Sequence, residues 1–122
     1  MTTTLYGIPN CDTVQRARAW LDAHAVAYRF HDFKKDGVPG AGLDRWLEAT
    51  GWKALVNRRG TTWRRLDDAI RASVTDAASA RAVLLANPGL VKRPVVEWEA
   101  DENVTTGFDA AQWTALCQVN VS

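Results

Sequence analysis

Cysteine is scarce in this chain of 122 residues, which has two, Cys11 and Cys117. They lie near opposite ends of the sequence, and neither belongs to a Cys-x-x-Cys pair. The two histidines, His24 and His31, have no partner at metal-ligand spacing. These absences argue against a disulfide framework, a zinc ribbon or another metal site.

Long apolar runs and an excess of one charge are also missing. Fifteen Lys and Arg residues nearly cancel fourteen Asp and Glu residues, for a formal net charge of +1, so no overall field favours nucleic acid or an anionic membrane. The uncharged stretches, 82–91 and 110–122, are shorter than the ~18 apolar residues that span a bilayer. Residues 1–9 lack the basic start and apolar run of a signal peptide. We therefore expect a cytoplasmic protein with reduced thiols, no membrane association and no nucleic-acid partner.

The composition is that of a globular protein, with 47% hydrophobic and 24% charged residues. At this length the chain has room for one domain, and we predict that residues 1–122 form it. Hydrophobic periodicity divides the chain into strands and helices. The predicted strands are 3–8, 26–33, 90–98 and 103–108. The predicted helices are 11–24, 43–51, 77–85 and 109–117, with a loop at 34–40, a loop entering a helix at 52–66 and an acidic turn at 101–102. Thr75-Asp76 resembles an N-cap with an acidic first turn ahead of the helix at 77–85.

The predicted elements follow the order β-α-β, then several helices, then β-β-α. A β-α-β unit joined to a β-β-α unit with its last two strands antiparallel is how a thioredoxin-type sheet is assembled. The first helix would pack on one face of that sheet. The order predicts an α/β protein, although strand periods alone do not choose this fold over another α/β sheet.

Cys11 stands between the turn at residues 8–10 and the start of the first predicted helix. Unpaired N–H groups and the dipole at a helix start favour a thiolate, the attacking form of cysteine. Arg16 or Arg18 would add positive charge if its side chain folded back, whereas Asp12 acts in the opposite direction. From position alone, a reactive nucleophile and a buried structural cysteine both remain open.

Val14 occupies the place where a dithiol motif carries its second cysteine. A reactive Cys11 would therefore work as a monothiol, resolved by a small thiol or by another protein. We expect Cys117, on the apolar side of the last helix, to serve in core packing.

Two further segments are candidates for ligand binding. Residues 57–65 (NRRGTTWRR) can hold an oxyanion or a carboxylate, although such a segment is more often a solvated basic face. Residues 92–94 (KRP) come just before a strand, where a proline fits because it donates no ladder hydrogen bond. The peptide bond before this proline can be cis or trans.

Four blocks together resemble the ArsC/Spx family, and most of all its YffB-like branch. They are 5–13 (LYGIPNCDT), 57–63 (NRRGTTW), 75–79 (TDAAS) and 92–95 (KRPV). The blocks occur in order, and the likeness extends over about residues 5–113. Four separated blocks in register are far more specific than any one of them.

The resemblance implies a thioredoxin-like fold with a helical insertion at about residues 40–87. It implies that Cys11 is the catalytic residue, that Arg59 and Arg93 bind the substrate or glutathione, and that Pro94 is a cis-proline. Arg58 stands beside Arg59 as an alternative for the same contact. In arsenate reductases of this family the cysteine attacks arsenate, glutathione captures the intermediate, and glutaredoxin resolves it.

The sequence departs from those arsenate reductases near residues 106–108, where their third anion-binding arginine is replaced. Losing one charge-assisted contact costs about 1.5–3 kcal/mol, or about ten- to a hundredfold in affinity. The first hypothesis is therefore a glutathione-dependent thiol/disulfide oxidoreductase. Three residues are expected to assist in its binding site: Asn10, Thr62 and Lys92.

Two alternatives remain. One is an arsenate reductase coupled to glutathione and glutaredoxin. The other is a non-enzymatic regulator of the Spx kind that binds RNA polymerase, although such regulators usually carry a Cys-x-x-Cys switch. In the first hypothesis we expect no bound cofactor or metal, because thiol exchange uses sulfur at both ends; glutathione is the expected co-substrate and glutaredoxin a further candidate partner.

Overall fold

The structure is a computed structural model that describes residues 3–99 and 103–121, with side chains described through Leu116. In these ranges the strands are β1 (Thr4–Gly7), β2 (Arg29–Asp32), β3 (Val95–Glu97) and β4 (Val104–Thr106). The helices are α1 (Asp12–Ala23), α2 (Phe33–Asp36), α3 (Gly40–Thr50), α4 (Trp52–Leu55), α5 (Thr61–Arg64), α6 (Asp68–Ser73), α7 (Ala77–Ala86) and α8 (Ala110–Val121). A 3₁₀ turn, Pro88–Leu90, follows α7. None of the described helices is long and apolar enough to cross a bilayer.

The strands form one mixed sheet in the order β2-β1-β3-β4. β1 runs parallel to β2, whereas β3 is antiparallel to both β1 and β4. Leu5 pairs with Phe30 on one side and with Val96 on the other. The predicted α/β class with a thioredoxin-like mixed sheet is confirmed, and so is the order β-α-β, helices, β-β-α.

The chain divides into two units, the first ending at Asp32 and resuming at Arg93, and the second covering Phe33–Lys92. The second unit contains the whole predicted insertion, 40–87, and extends beyond it at both ends. The sheet, α1 and α8 belong to the first unit. The assignment of residues 1–122 to a single domain stays a prediction.

The core of the first unit lies on one face of the sheet. α1 places Val14, Ala17 and Leu21 there, all fully buried, as their helical spacing predicts. They pack with Leu5 and the other buried members of this cluster: Val96, Trp98 and Trp113. Burying a side chain such as leucine contributes about 1.5–3 kcal/mol, so this face fixes α1 against the sheet.

Trp113 lies at the centre of an aromatic group in the first unit. Its ring makes edge-on contacts with Trp20, Trp98 and Phe108 at centroid distances of 5.6, 5.1 and 4.8 Å. Its buried indole N–H has no hydrogen-bond partner among the described residues, which costs about 1–3 kcal/mol. Edge-on ring pairs contribute about 0.5–1.5 kcal/mol each, enough to offset that cost.

In the second unit, α3 buries Leu43, Trp46 and Leu47 and ends at Gly51, as predicted. α7 begins with a capping box whose N-cap is Asp76: the Asp76 carboxylate accepts from the Ser79 amide at 2.9 Å, and the Ser79 hydroxyl accepts from the Asp76 amide at 3.1 Å. This reciprocal capping box satisfies two amides that the helix itself leaves unpaired.

The predicted loop at 34–40 is wrong at its start, because Phe33–Asp36 forms α2. Phe33, predicted as the end of a strand, is buried with its ring 6.1 Å from that of Trp46, so packing overrides the alternating pattern. In residues 52–66, the predicted loop entering a helix matches α5, which begins at Thr61 after its N-cap Gly60. The preceding turn α4 was not predicted, because four residues are too few to show periodicity.

The predicted strand 90–98 is shorter in the structure, because β3 begins at Val95. Leu90 belongs to the 3₁₀ turn, and Val91 instead forms an isolated bridge with Val56. The predicted acidic turn at 101–102 lies outside the described residues. Helix α6 was not predicted separately.

Candidate functional site

Cys11 occupies the N-cap of α1, the placement that the sequence predicts. β1 ends at Gly7, and the turn closes where the Cys11 amide donates to the Ile8 carbonyl at 3.2 Å. The Cys11 carbonyl accepts the first helical hydrogen bond from the Gln15 amide at 2.9 Å, and the Gln15 side chain donates to the Pro9 carbonyl at 3.1 Å. Cys11 is half-buried against the core cluster of the first unit, with a free sulfur. The turn thus holds a free thiol at a helix start without sealing it in.

The two arginines on α1 have partners of their own. Arg16 forms an exposed ion pair with Asp12, 3.4 Å between Nε and Oδ2. Arg18 donates from Nε to the Tyr28 hydroxyl at 3.0 Å, and its guanidinium lies 4.2 Å from the ring centroid of Phe30. The charge of Arg16 is offset by Asp12, and Arg18 is held at β2.

The sheet register brings Arg93 and Pro94 to the end of the sheet where the Cys11 turn begins. Tyr6 pairs with Val95, so the residues that follow β1 and those that precede antiparallel β3 lie at the same end. The bond between Arg93 and Pro94 is cis, as the resemblance implies. Pro94 is buried, Arg93 is half-buried, and Asn10 is exposed. Four predicted site residues of the first unit are therefore placed together: Asn10, Cys11, Arg93 and Pro94.

The remaining predicted site residues lie in the second unit. Arg59 is exposed, and its amide donates to the Asn57 side-chain oxygen at 3.2 Å. Thr62 packs closely on Gly89: a Cβ added at Gly89 would lie 2.8 Å from the Thr62 hydroxyl oxygen. Lys92 is exposed at the end of this unit.

These segments of the second unit are joined by backbone hydrogen bonds. The Lys92 amide donates to the Leu55 carbonyl and the Asn57 amide to the Leu90 carbonyl, both at 2.8 Å. Residues 55–57 and 90–92 therefore run antiparallel and side by side, with Leu55 opposite Lys92 and Asn57 opposite Leu90. Arg59 follows the end of this pairing that is farther from Lys92.

Asn57 is the residue of this segment that sequence reasoning did not single out for a role. Its side chain accepts from the amide two residues on, the hydrogen bond of an Asx turn. The signal for this turn in the sequence is an asparagine a few residues before a glycine in a predicted loop. Arg58 and Arg59 are both exposed, and the choice between them as the anion contact stays open.

The position at which a dithiol motif carries its second cysteine is occupied by a core residue, Val14. Val14 is fully buried, and a Cβ added at Gly7 would lie 2.8 Å from one of its methyl carbons. The side chain of Cys117 lies outside the described residues, so its predicted packing role remains a prediction. Among the described side chains, no three His, Cys, Asp or Glu residues converge as a metal site.

The segment after β4 carries no cationic side chain. β4 ends at Thr106, and Gly107 follows with a φ of 81°. The Gly107 amide donates to the Pro94 carbonyl at 2.9 Å. Gly107 and then Phe108 therefore form the end of the sheet next to Pro94.

A mixed sheet with a free thiol at the start of its first helix and a cis-proline ahead of the antiparallel strand defines a thioredoxin-like protein. The ArsC family model matches residues 6–116, and the chain therefore belongs to the ArsC family.

Two similar proteins illustrate the range of this family. An uncharacterized protein of Haemophilus influenzae is 40% identical over 112 residues, covering 92% of this chain and 96% of that protein. The global transcriptional regulator Spx of Streptococcus mutans is 28% identical over 96 residues, covering 76% of this chain and 68% of the regulator.

Solved structures agree in fold. The YffB protein has a TM-score of 0.86 at 45% identity, covering 93% of this chain and 97% of that one. An arsenate reductase (ArsC) related protein from Brucella melitensis has a TM-score of 0.72 at 47% identity, covering 97% of this chain and 96% of that one. An arsenate reductase from Vibrio cholerae has a TM-score of 0.77 at 18% identity, over 94% of this chain and 97% of that one, and shows the fold alone.

Proposed function

We propose that this ArsC-family protein is a glutathione-dependent thiol/disulfide reductase that uses Cys11 as its single catalytic nucleophile. The observation that carries the proposal is the placement of a free, half-buried thiol at the N-cap of α1, at the same end of the sheet as Arg93 and Pro94. The Cys11 sulfur makes no cap hydrogen bond to the amides of α1 and no disulfide with a described residue, so it is available for exchange with a substrate disulfide.

The proposed reaction is a pair of thiol–disulfide exchanges. The Cys11 sulfur attacks the glutathione sulfur of a mixed disulfide between glutathione and a substrate. The substrate sulfur leaves as a thiolate and takes up a proton, while Cys11 becomes bonded to glutathione. A second glutathione thiolate then attacks that bond, which releases oxidised glutathione and restores Cys11. The net reaction converts one substrate–glutathione disulfide and one reduced glutathione into the substrate thiol and oxidised glutathione, and no metal or other cofactor is needed.

Arg93 is the proposed contact for a carboxylate of glutathione. It is half-buried, and its guanidinium makes no ion pair with the described residues. A guanidinium pairs well with a carboxylate because its N–H groups match both carboxylate oxygens. Asn10, beside Cys11, is proposed to contact the same ligand. Pro94 would shape the backbone edge along which the peptide lies.

Arg59, Thr62 and Lys92 are proposed as further ligands of the anionic substrate on the strength of the family resemblance. Arg59 and Lys92 are both exposed cationic side chains, which suits contact with an anionic group. Thr62 also has a packing role against Gly89, so its substitution would test structure and binding together.

Steady-state kinetics test the proposal. The purified protein is given a mixed disulfide of glutathione and a small thiol, with reduced glutathione, and the formation of oxidised glutathione is followed. Wild type and Cys117→Ser should turn over the substrate, and Cys11→Ser should not. Turnover by Cys11→Ser at the wild-type rate would refute the proposal. So would the absence of turnover by folded wild type.

Arsenate is the alternative substrate, with glutaredoxin as the protein that resolves the intermediate. The same assay with arsenate and glutathione, with and without glutaredoxin, distinguishes it by the release of arsenite. We expect arsenate reduction to be much slower than disulfide exchange, because the sheet end next to Pro94 offers Gly107 and Phe108 in place of a cation.

A regulator of the Spx kind is the second candidate function, favoured by the likeness to the global transcriptional regulator Spx. Such a role predicts binding to RNA polymerase that survives Cys11→Ser. A pull-down with purified RNA polymerase tests it: retained binding in that variant, together with no thiol turnover in wild type, would favour the regulator.

A further inference from the structure

Phe108 presents an apolar ring at the end of the sheet that carries the proposed nucleophile. It follows Gly107 after β4 and is half-buried. Its ring meets that of Trp113 edge-on, with centroids 4.8 Å apart and planes at 76°. Trp113 is fully buried, so it supports Phe108 from the inside while part of the Phe108 ring remains open to solvent.

The sheet fixes the position of Phe108 relative to the Cys11 turn. β3 lies between β1 and β4, and the segments that leave β1 and β4 emerge at the end where β3 begins. The Gly107 amide is tied to the Pro94 carbonyl. Both Cys11 and Phe108 pack on the same core cluster. Adjacent strands lie about 4.8 Å apart, so the two exits are separated by roughly 10 Å.

The distance of roughly 10 Å between the two strand exits discriminates between substrates by size. An oxyanion bonded to the Cys11 sulfur is only a few ångströms across and would not extend over the two strand spacings. An extended peptide covers about 3.3–3.6 Å per residue, so about three residues bridge the distance. A substrate that touches both groups is therefore a peptide with an apolar side chain near its disulfide.

We propose that Phe108 is a specificity-determining residue that selects disulfides flanked by an apolar side chain, and that the substrates are glutathionylated peptides or proteins of this kind. The inference rests on the proposed function, since it concerns the first exchange at Cys11. In that step the substrate–glutathione S–S bond breaks, the bond between Cys11 and glutathione forms, and the apolar-flanked substrate leaves as a thiol. Phe108 contacts a substrate side chain about three residues from the reacting sulfur and takes no part in bond making.

Two glutathionylated peptides test the inference. They differ only at the third residue from cysteine, the distance at which the peptide reaches Phe108, which is leucine in one and serine in the other. An apolar contact of one or two methylene groups changes kcat/KM by about tenfold or more. Wild type should prefer the leucine peptide by about tenfold. Phe108→Leu should keep that preference. Phe108→Gln, whose side chain is close in volume to leucine but polar, should lose it.

Phe30→Leu is the matched control, because Phe30 is also half-buried and packs on the same core cluster but lies within β2. It should keep the wild-type preference. The rate of Cys11 alkylation by iodoacetamide and the melting temperature report whether each variant retains a folded site. Phe108→Ala replaces Phe108→Gln if the latter does not fold.

Three results would overturn the inference: no preference in wild type, an unchanged preference in folded Phe108→Gln, or an equal loss in Phe30→Leu. Turnover of both peptides at equal rates contradicts the role of Phe108 and leaves the proposed reductase intact. No turnover of either peptide or of a small mixed disulfide by folded wild type refutes the reductase, and the role of Phe108 with it.

Discussion

The amide of Gly107 donates a hydrogen bond of 2.9 Å to the carbonyl oxygen of Pro94. This bond continues the β3–β4 pairing one step beyond Val95 and Thr106 and holds the segment after β4 beside the segment before β3. Gly107 adopts a φ of 81° to make it. The end of the sheet next to Pro94 thus depends on a residue without a Cβ.

Gly107→Ala should lower the free energy of unfolding by about 1–2 kcal/mol, because an L-residue in the left-handed region brings its Cβ too close to the following carbonyl. Urea unfolding followed by circular dichroism measures the change. Gly40→Ala is the control, since Gly40 lies outside that φ region and its added Cβ would meet only the end of the Arg81 side chain, at 3.3 Å. An equal loss in both variants would contradict the strain at Gly107.

Arg93→Ala should weaken the capture of glutathione by about ten- to a hundredfold, the value of one charge-assisted contact. The rate at which glutathione reduces the Cys11 mixed disulfide, measured against glutathione concentration, reports the loss. Arg16→Ala removes another arginine from the first unit and breaks only an exposed ion pair with Asp12, so it should leave capture unchanged. Full capture by folded Arg93→Ala would show that the anchor is assigned to the wrong residue.

Val14→Cys should convert the monothiol into a dithiol. Cys11 is the N-cap and position 14 is the third residue of α1, and an N-cap side chain reaches the third helical residue in a capping box. Under mild oxidation a disulfide between positions 11 and 14 should form and compete with the glutathione adduct. Peptide mapping without reductant detects it, with Val26→Cys as a control at a half-buried valine packed on the same core. If Val14→Cys acquires the glutathione adduct on Cys11 at the wild-type level, the side chain of Cys11 does not reach position 14.

Asp76→Ala should destabilise the second unit in a pH-dependent way. The hydrogen bond from the Ser79 amide, and then that from its hydroxyl, hold the pKa of Asp76 below its ordinary value of 3.8. A lowered pKa in the folded state means that the carboxylate stabilises the fold above its unfolded pKa. This contribution disappears as the pH falls through the folded pKa.

The melting temperature of Asp76→Ala should therefore lie below that of wild type near neutral pH, and the difference should shrink on acidification past the ordinary pKa. Thermal unfolding across that range measures it. Asp68→Ala, at the first residue of α6 and paired with Arg71, is the control for removing one exposed carboxylate. A difference for Asp76→Ala that stays constant with pH would contradict the role of the charged cap.

The sequence predicted best where the signal is local. The strand-turn-helix junction at Cys11 follows from a segment rich in β-branched and aromatic residues, a turn at a proline, and apolar residues at helical spacing. The cap at Asp76 and the helix end at Gly51 follow from residue types whose preferences act within one turn. These elements are confirmed at nearly their predicted bounds.

Prediction failed where distant residues decide the local structure. Phe33 leaves the strand pattern because it packs against Trp46, and Val91 leaves the third strand because it bridges to Val56. The register that brings Pro94 to the Cys11 end of the sheet joins segments far apart in sequence, so only the family resemblance indicated it. Nothing local separates Arg58 from Arg59.

In the proposed reductase, Cys11 alone carries the reacting sulfur. Intact-protein mass spectrometry after incubation with oxidised glutathione tests this assignment. We expect one glutathione adduct on wild type and on Cys117→Ser, none on Cys11→Ser, and complete removal by reduced glutathione. An adduct that persists on Cys11→Ser, or folded wild type that never acquires one, would contradict it.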